Sequence, residues 1–122
     1  MKSLLSASFL AIIALIMVST EESAQPPAKI NLMASNVVVV QYNAGWNAVN
    51  TVKGLENLNK GECTYFYCDV EKQPMFLTSQ KVKQVPTVIV YSKGKEVKRW
   101  EGDLFMKNSV TFLKVQDVVS LY

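Results

Sequence analysis

The run "NVVVVQY", Asn36 to Tyr42, constrains this chain more than any other feature. Four consecutive valines do not alternate with polar residues, so no face of the segment can point to water. Their β-branched side chains disfavour helix, and the run is too short for one. The expectation is a central strand covered on both faces, with parallel neighbours. Such a strand needs a layered α/β domain around it.

The flanking segments supply that domain. From Asn47 the pattern changes period: Ala48, Val49, Val52, Leu55 and Leu58 follow helical spacing, with Asn47 as candidate N-cap, Gly54 as a weak point and Gly61 near the end. "CTYFYCDV" (63–70) reads as the next strand, with Phe66 and Cys68 on one face and Tyr65 and Tyr67 on the other. Pro74 can begin a short helix carrying Met75, Phe76 and Leu77. "TVIVY" (87–91) and "EVKRW" (96–100) flank a Gly-containing turn and form an antiparallel hairpin. Asn108 or Ser109 can cap a last helix whose Phe112, Val115, Val118, Val119 and Tyr122 share a face. The right-handed crossover rule then places the first helix over the parallel pair and the later elements on the opposite face of one mixed sheet.

The first residues read differently. Lys2 precedes the apolar run "LLSASFLAIIALIMVS" (4–19), and the polar "TEES" ends it. Residues 1–24 are expected to be a signal peptide cut between Ser19 and Ala24; an uncleaved anchor over 3–19 is the alternative, marginal in length for a span of ~20 residues. Residues 25–35 open with "QPP", an extended linker, followed by about two helical turns in "AKINLMAS". Residues 36–122 form the domain. Secretion is the expected destination, since Ser120-Leu121-Tyr122 is not a retention signal; the endoplasmic-reticulum lumen and membrane anchoring are the alternatives.

Composition excludes several chemistries. Histidine is absent, which removes histidine-based triads and the common zinc sites. No phosphate-cradling GxxxxGK[ST] loop and no GxGxxG is present, and the carboxylates are scattered, so no metal and no cofactor is expected. Loss of Lys2, Glu21 and Glu22 with the leader leaves 12 basic and 8 acidic residues, a net charge of +4. The Lys93, Lys95, Lys98, Arg99 cluster alternates with apolar residues and reads as a solvated hairpin face. A nucleic-acid partner is not expected, and a membrane only through an uncleaved anchor.

Three local features together resemble the thioredoxin family: a strand followed by Trp46 at the head of a helix, Cys68-Asp69 ending the next strand, and "VPT" (85–87) entering the hairpin. The resemblance covers residues 36–122, with the family's N-terminal strand and helix shortened or absent and the helix after Trp46 about one turn short. It implies a CxxC motif immediately after Trp46, but those two positions are Asn47 and Asn50. Asn cannot form a thiolate or a mixed disulfide. The buried acid of many thioredoxins falls at Gln41, which cannot move protons at physiological pH. The resemblance also implies a cis Val85-Pro86 bond and a groove formed by Gly45, Trp46, Val85 and Pro86, in which the residue before the proline offers its backbone to an extended peptide. A tight structural turn is the plainer reading of the same proline.

Cys63 and Cys68 are five residues apart on one strand, about 16 Å at strand rise, whereas a disulfide needs Cα atoms within ~7 Å. Cys68 reads as a buried apolar thiol. Cys63, at the expected wet start of the strand, is the candidate for a disulfide to another chain. The function expected from sequence is therefore an exported thioredoxin-like protein without oxidoreductase activity that binds a polypeptide or a protein partner. Its alternatives are an unconventional oxidoreductase using Cys63 or Cys68, and a disulfide-linked interaction subunit.

Overall fold

The computed structural model describes residues 29–122; the leader, its cut and the "QPP" linker lie outside the described residues. Four strands, β1 (Val37–Asn43), β2 (Cys63–Asp69), β3 (Thr87–Ser92) and β4 (Lys95–Trp100), form one sheet in the order β2-β1-β3-β4. β1 runs parallel to β2 and antiparallel to β3, and β3 and β4 form the expected hairpin. Lys93 and Gly94, both at positive φ, make its turn. That conformation matches the right-handed twist of the flanking strands.

Every residue of β1 is buried. Alternation sends Val37 and Val39 to one core, with Leu55, Leu58, Val88, Val90 and Val115, and Val38 and Val40 to the other, with Cys68, Val82, Ile89 and Tyr91. Each fully buried valine contributes roughly 1.5–3 kcal/mol. Two-sided burial was a correct expectation, but only one of the two neighbours is parallel. The run reports two covered faces rather than the sense of pairing.

One face is covered by the short segments after β1 and by α2 (Phe112–Val119), whose Val115 is fully buried. Its cap is Thr111, which accepts from Lys114 N–H at 3.3 Å, rather than Asn108 or Ser109. Asn108 instead donates to Pro86 O (2.9 Å) and Trp100 O (2.8 Å). Tyr122 does not join the buried face.

The opposite face is covered by α1 (Met75–Ser79) with Phe76, and by Ile30 and Leu32 from the segment before β1. That segment is a turn and not the two expected helical turns; Asn31 Oδ1 accepts from Met33 N–H at 2.9 Å and bends the chain. No residue of α1 is fully buried. Arg99 of β4 holds the turn after α1, donating to Gln80 O (2.7 Å) and Lys81 O (3.0 Å) while paired with Glu96 (2.6 Å).

The largest departure from expectation lies between Gly45 and Leu58. A single helix was expected; the chain forms two 3₁₀ segments, Gly45–Asn50 and Leu55–Leu58, separated by a break. Gly54 sits at φ 85°, a left-handed conformation that ends any continuous helix. Val52, Leu55 and Leu58 are buried, whereas Val49 is 86 % exposed. Among the described residues no helix is long and apolar enough to cross a membrane.

Candidate functional site

The C-terminal end of β1 and the N-terminal end of β3 meet at the pair Tyr42 and Thr87. Residues just after β1 and just before β3 must therefore emerge at one end of the sheet. This places Trp46 and Val85 together, although 39 positions separate them in the chain.

Alternation along β1 turns Gln41 and Asn43 toward the 3₁₀ segments, and both are fully buried. Gln41 clamps Val52: its Oε1 accepts from Val52 N–H at 2.7 Å and its Nε2 donates to Val52 O at 3.1 Å and to the Tyr65 hydroxyl at 3.0 Å. Burial pushes the Tyr65 hydroxyl up to about 12, opposed by its bond to Gln41. Asn43 Nδ2 donates to Asn47 O (3.2 Å) and Thr51 Oγ1 (3.1 Å).

Asn47 and Asn50 extend this set into a chain of amides. Asn47 Nδ2 donates to Asn43 Oδ1 (3.1 Å) and to Met106 O (3.0 Å), and Asn50 Nδ2 donates to Asn47 Oδ1 (2.8 Å). One expectation is corrected here. Asn47 is not the cap: Ala44 holds the cap position, without a side-chain bond, and Asn47 is buried inside the 3₁₀ segment. Asn50 is tied to Asn47. These amides neither ionise nor exchange electrons near neutral pH. What they do is hold the loop after β1 to the turn at 103–107.

Sequence reasoning missed that turn. Asp103 closes it, its Oδ1 accepting from Phe105 N–H (2.8 Å) and Lys107 N–H (3.0 Å) while its own N–H donates to Lys107 O (2.8 Å). Leu104 and Phe105 project from it, 83 % and 82 % exposed. The pair Gly102-Asp103 was the available signal, since both residues favour tight turns.

Between these loops and α1 lies a cavity of about 400 Å³, within the range of ligand pockets. Trp46 and Val85 line it as expected, with Val70, Leu77 and Met106 supplying further apolar wall and Glu71 and Lys83 the charged rim. Gly45 and Pro86 are not in its wall. Gly45 lies beside Glu71, whose Oε1 also accepts from Trp46 N–H at 3.3 Å. Trp46 is 60 % exposed.

The Val85-Pro86 bond is cis. Among the described residues neither the N–H nor the C=O of Val85 has a hydrogen-bond partner. Gly102 packs directly on this junction: a Cβ there would lie 2.7 Å from Val85 O and 2.8 Å from Val85 C.

The cysteines lie elsewhere. Cys63 and Cys68 are both free thiols, buried, and belong to opposite cores of the sheet. Cys63 does not sit at a wet strand start: Lys60 pairs back onto it, Val37 lies opposite it across β1, and burial pushes its thiol above the ordinary value. Burial, aided by the Asp69 charge, pushes the Cys68 thiol up to about 11. Neither lines the cavity. No group of residues suited to a metal ion occurs among the described residues.

In sequence the chain matches no protein-family model and no curated protein. In structure it is similar to thioredoxins. The thioredoxin from Schistosoma mansoni aligns at 21 % identity over 72 % of this chain and 78 % of its own, with a TM-score of 0.56. Thioredoxin-2 of the malaria parasite, described as a component of that parasite's protein secretion machinery, aligns at 16 % identity over 77 % and 89 %, with a TM-score of 0.58. A mutant thioredoxin from Halobacterium salinarum aligns at 16 % identity over 74 % and 77 %, with a TM-score of 0.53. The chain thus has the thioredoxin-like fold, in a divergent sequence.

Proposed function

We propose that this is an exported thioredoxin-like protein without disulfide oxidoreductase activity, which binds an extended polypeptide segment across Trp46 and Val85. One observation carries the reading: among the described residues the Val85 peptide groups lack hydrogen-bond partners, and Val85 lines an apolar cavity together with Trp46, a large exposed aromatic. An extended segment laid beside Val85 gains main-chain hydrogen bonds, and an apolar side chain of that segment fills the cavity between Leu77 and Met106. The absence of chemistry rests on the amides at 47 and 50 and on the burial of both thiols away from the cavity. Export rests on the apolar leader of residues 4–19.

The test pairs two assays. Insulin reduction is expected to stay at background; robust turnover that disappears in Cys63→Ala or Cys68→Ala would overturn the reading. Peptides carrying a central leucine or phenylalanine are expected to quench or blue-shift the Trp46 emission, assigned by difference against Trp46→Phe. Backbone N-methylation of the same peptides should abolish the effect, because it removes the donor for Val85. Intact mass of the exported chain tests the leader.

A further inference from the structure

The apolar cavity carries two opposite charges in its walls, and neither is neutralised. Glu71 stands beside Trp46, and Lys83 stands two residues before Val85; both are exposed and both line the cavity. They do not pair with each other, since the ion pairs among the described residues are those of Arg99 with Glu96 and Glu101. The Lys83 ammonium makes neither a hydrogen bond nor an ion pair among the described residues.

The acidic side is reinforced from behind. A Cβ on Gly45 would lie 3.0 Å from Glu71 Oε1 and 3.4 Å from Asp69 Oδ2, so two carboxylates converge on that glycine. Glu71 Oε1 accepts one long bond from Trp46 N–H (3.3 Å) and Asp69 Oδ1 one from Glu71 N–H (2.9 Å), but no lysine or arginine answers either group. One wall of the cavity is therefore anionic and another cationic, with Val70, Leu77 and Met106 supplying apolar surface.

A purely apolar segment would fill this space at a cost. It displaces water from Glu71 and Lys83 and returns nothing to them, and a charge stripped of water without a partner is disfavoured. A segment that sets a cation against Glu71 and an anion against Lys83 makes up for that loss at both walls. Because Lys83 is so close to Val85 in the chain, a ligand side chain about two residues from the apolar anchor can reach it, at ~3.3 Å of extended chain per residue. Exchanging the two ligand charges would set like against like at both walls. We infer that the groove selects an extended segment in which one large apolar residue is flanked by a basic residue on one side and an acidic residue on the other, accepted in a single chain direction. This rests on the reading proposed above, that the cavity holds a polypeptide segment, and adds to it the charge pattern and the direction.

Calorimetric titration with three peptides of one length tests it. The first has Lys two residues before a central Phe and Glu two residues after it, the second has Lys and Glu exchanged, and the third has Gln at both places. The two charged peptides share composition and net charge. At about a factor of two for each exposed ion pair made and each like-charge contact avoided, they should differ in affinity by roughly tenfold, with the Gln peptide between them. The difference should fade as salt rises to about 1 M, where the screening length is ~3 Å. Lys83→Glu breaks no bond of the fold and reverses the preference at its own wall, so it should bring the two orders to within about a factor of two of each other. Glu71→Gln keeps an oxygen for Trp46 N–H and should reduce the difference to about fourfold. Equal affinity of the two charged peptides for the unaltered chain overturns the inference, as does a difference that both variants leave unchanged, and in either case the groove reading stands because the peptides bind. Binding of none of the three overturns the groove reading and the inference with it.

Discussion

Gln41→Glu is the sharpest perturbation the site offers, because it changes one atom in a fully buried clamp. Gln41 meets one donor and one acceptor on the same residue: Val52 N–H at 2.7 Å and Val52 O at 3.1 Å. A glutamate of the same shape keeps the bond from Val52 N–H, but as a carboxylate it sets a second oxygen against Val52 O. Only the protonated acid restores both bonds. Complete burial acts in the same direction, since desolvation disfavours the charged form and raises buried carboxyls by up to ~3–5 units. The Val52 N–H and the Tyr65 hydroxyl still help the anion, so a folded value about 2–3 units above the unfolded ~4.3 is the working figure.

The sign follows from proton binding. Between roughly pH 4.3 and 7 the unfolded chain has released its proton and the folded one has not, so stability falls by about 1.4 kcal/mol per pH unit. Below the unfolded value the contribution is intact. By pH 7 the loss reaches ~3 kcal/mol, a large part of the ~5–15 kcal/mol typical of a domain. Urea denaturation of Gln41→Glu and the unaltered chain at several pH values measures it. Gln41→Leu is the control: it leaves Val52 N–H and O unpaired at every pH and should lose about 2–5 kcal/mol without that slope. Parallel profiles for Gln41→Glu and the unaltered chain from pH 4.5 to 7 would refute the clamp.

Asn47→Asp removes both donors of the central amide, and should cost about 1–3 kcal/mol in denaturation while speeding amide exchange in residues 103–107. Gly102→Ala forces a Cβ into the Val85 carbonyl, a backbone group that cannot swing aside; a loss of about 1–3 kcal/mol and a changed Val85 environment by NMR are expected. Native alkylation at pH 8 should leave Cys63 and Cys68 unmodified by intact mass, because burial raises both thiols and denies the reagent access, whereas denaturation should expose two sites. Arg99→Ala releases the turn after α1 and should reduce any peptide-induced Trp46 signal through loss of the Leu77 wall, with only a modest change in overall stability.

The sheet was legible because its signals are dense. The valine run, the aromatic run from Cys63 and the hairpin around Lys93-Gly94 each read as strand, and all three form it; the antiparallel pairing of β1 with β3 was not in the pattern. The stretch from Gly45 to Leu58 was misread because two periods compete there. Val52, Leu55 and Leu58 recur every three residues, which fits the stacked i and i+3 positions of a 3₁₀ turn as well as an α-helical stripe. Gly54 looked like a modest penalty on one helix and is in fact the left-handed residue that divides it. Trp46 and Val85 were brought together by the thioredoxin resemblance, and the structure seats both on one cavity. The far wall could not be read: Leu77 and Lys83 arrive through α1 and the turn after it, held by Arg99 hydrogen bonds that no local pattern announces.

The amide chain has a structural role of its own. Asn47 reaches inward to Asn43, sideways to Asn50 and across to Met106 O, binding the loop after β1 to a turn 59 residues later. That turn is closed by Asp103, yet it shows two large apolar side chains to solvent, Leu104 and Phe105. In this chain Asn47 and Asn50 tie the loop that carries Trp46 to the turn that carries Met106, two residues of the cavity wall.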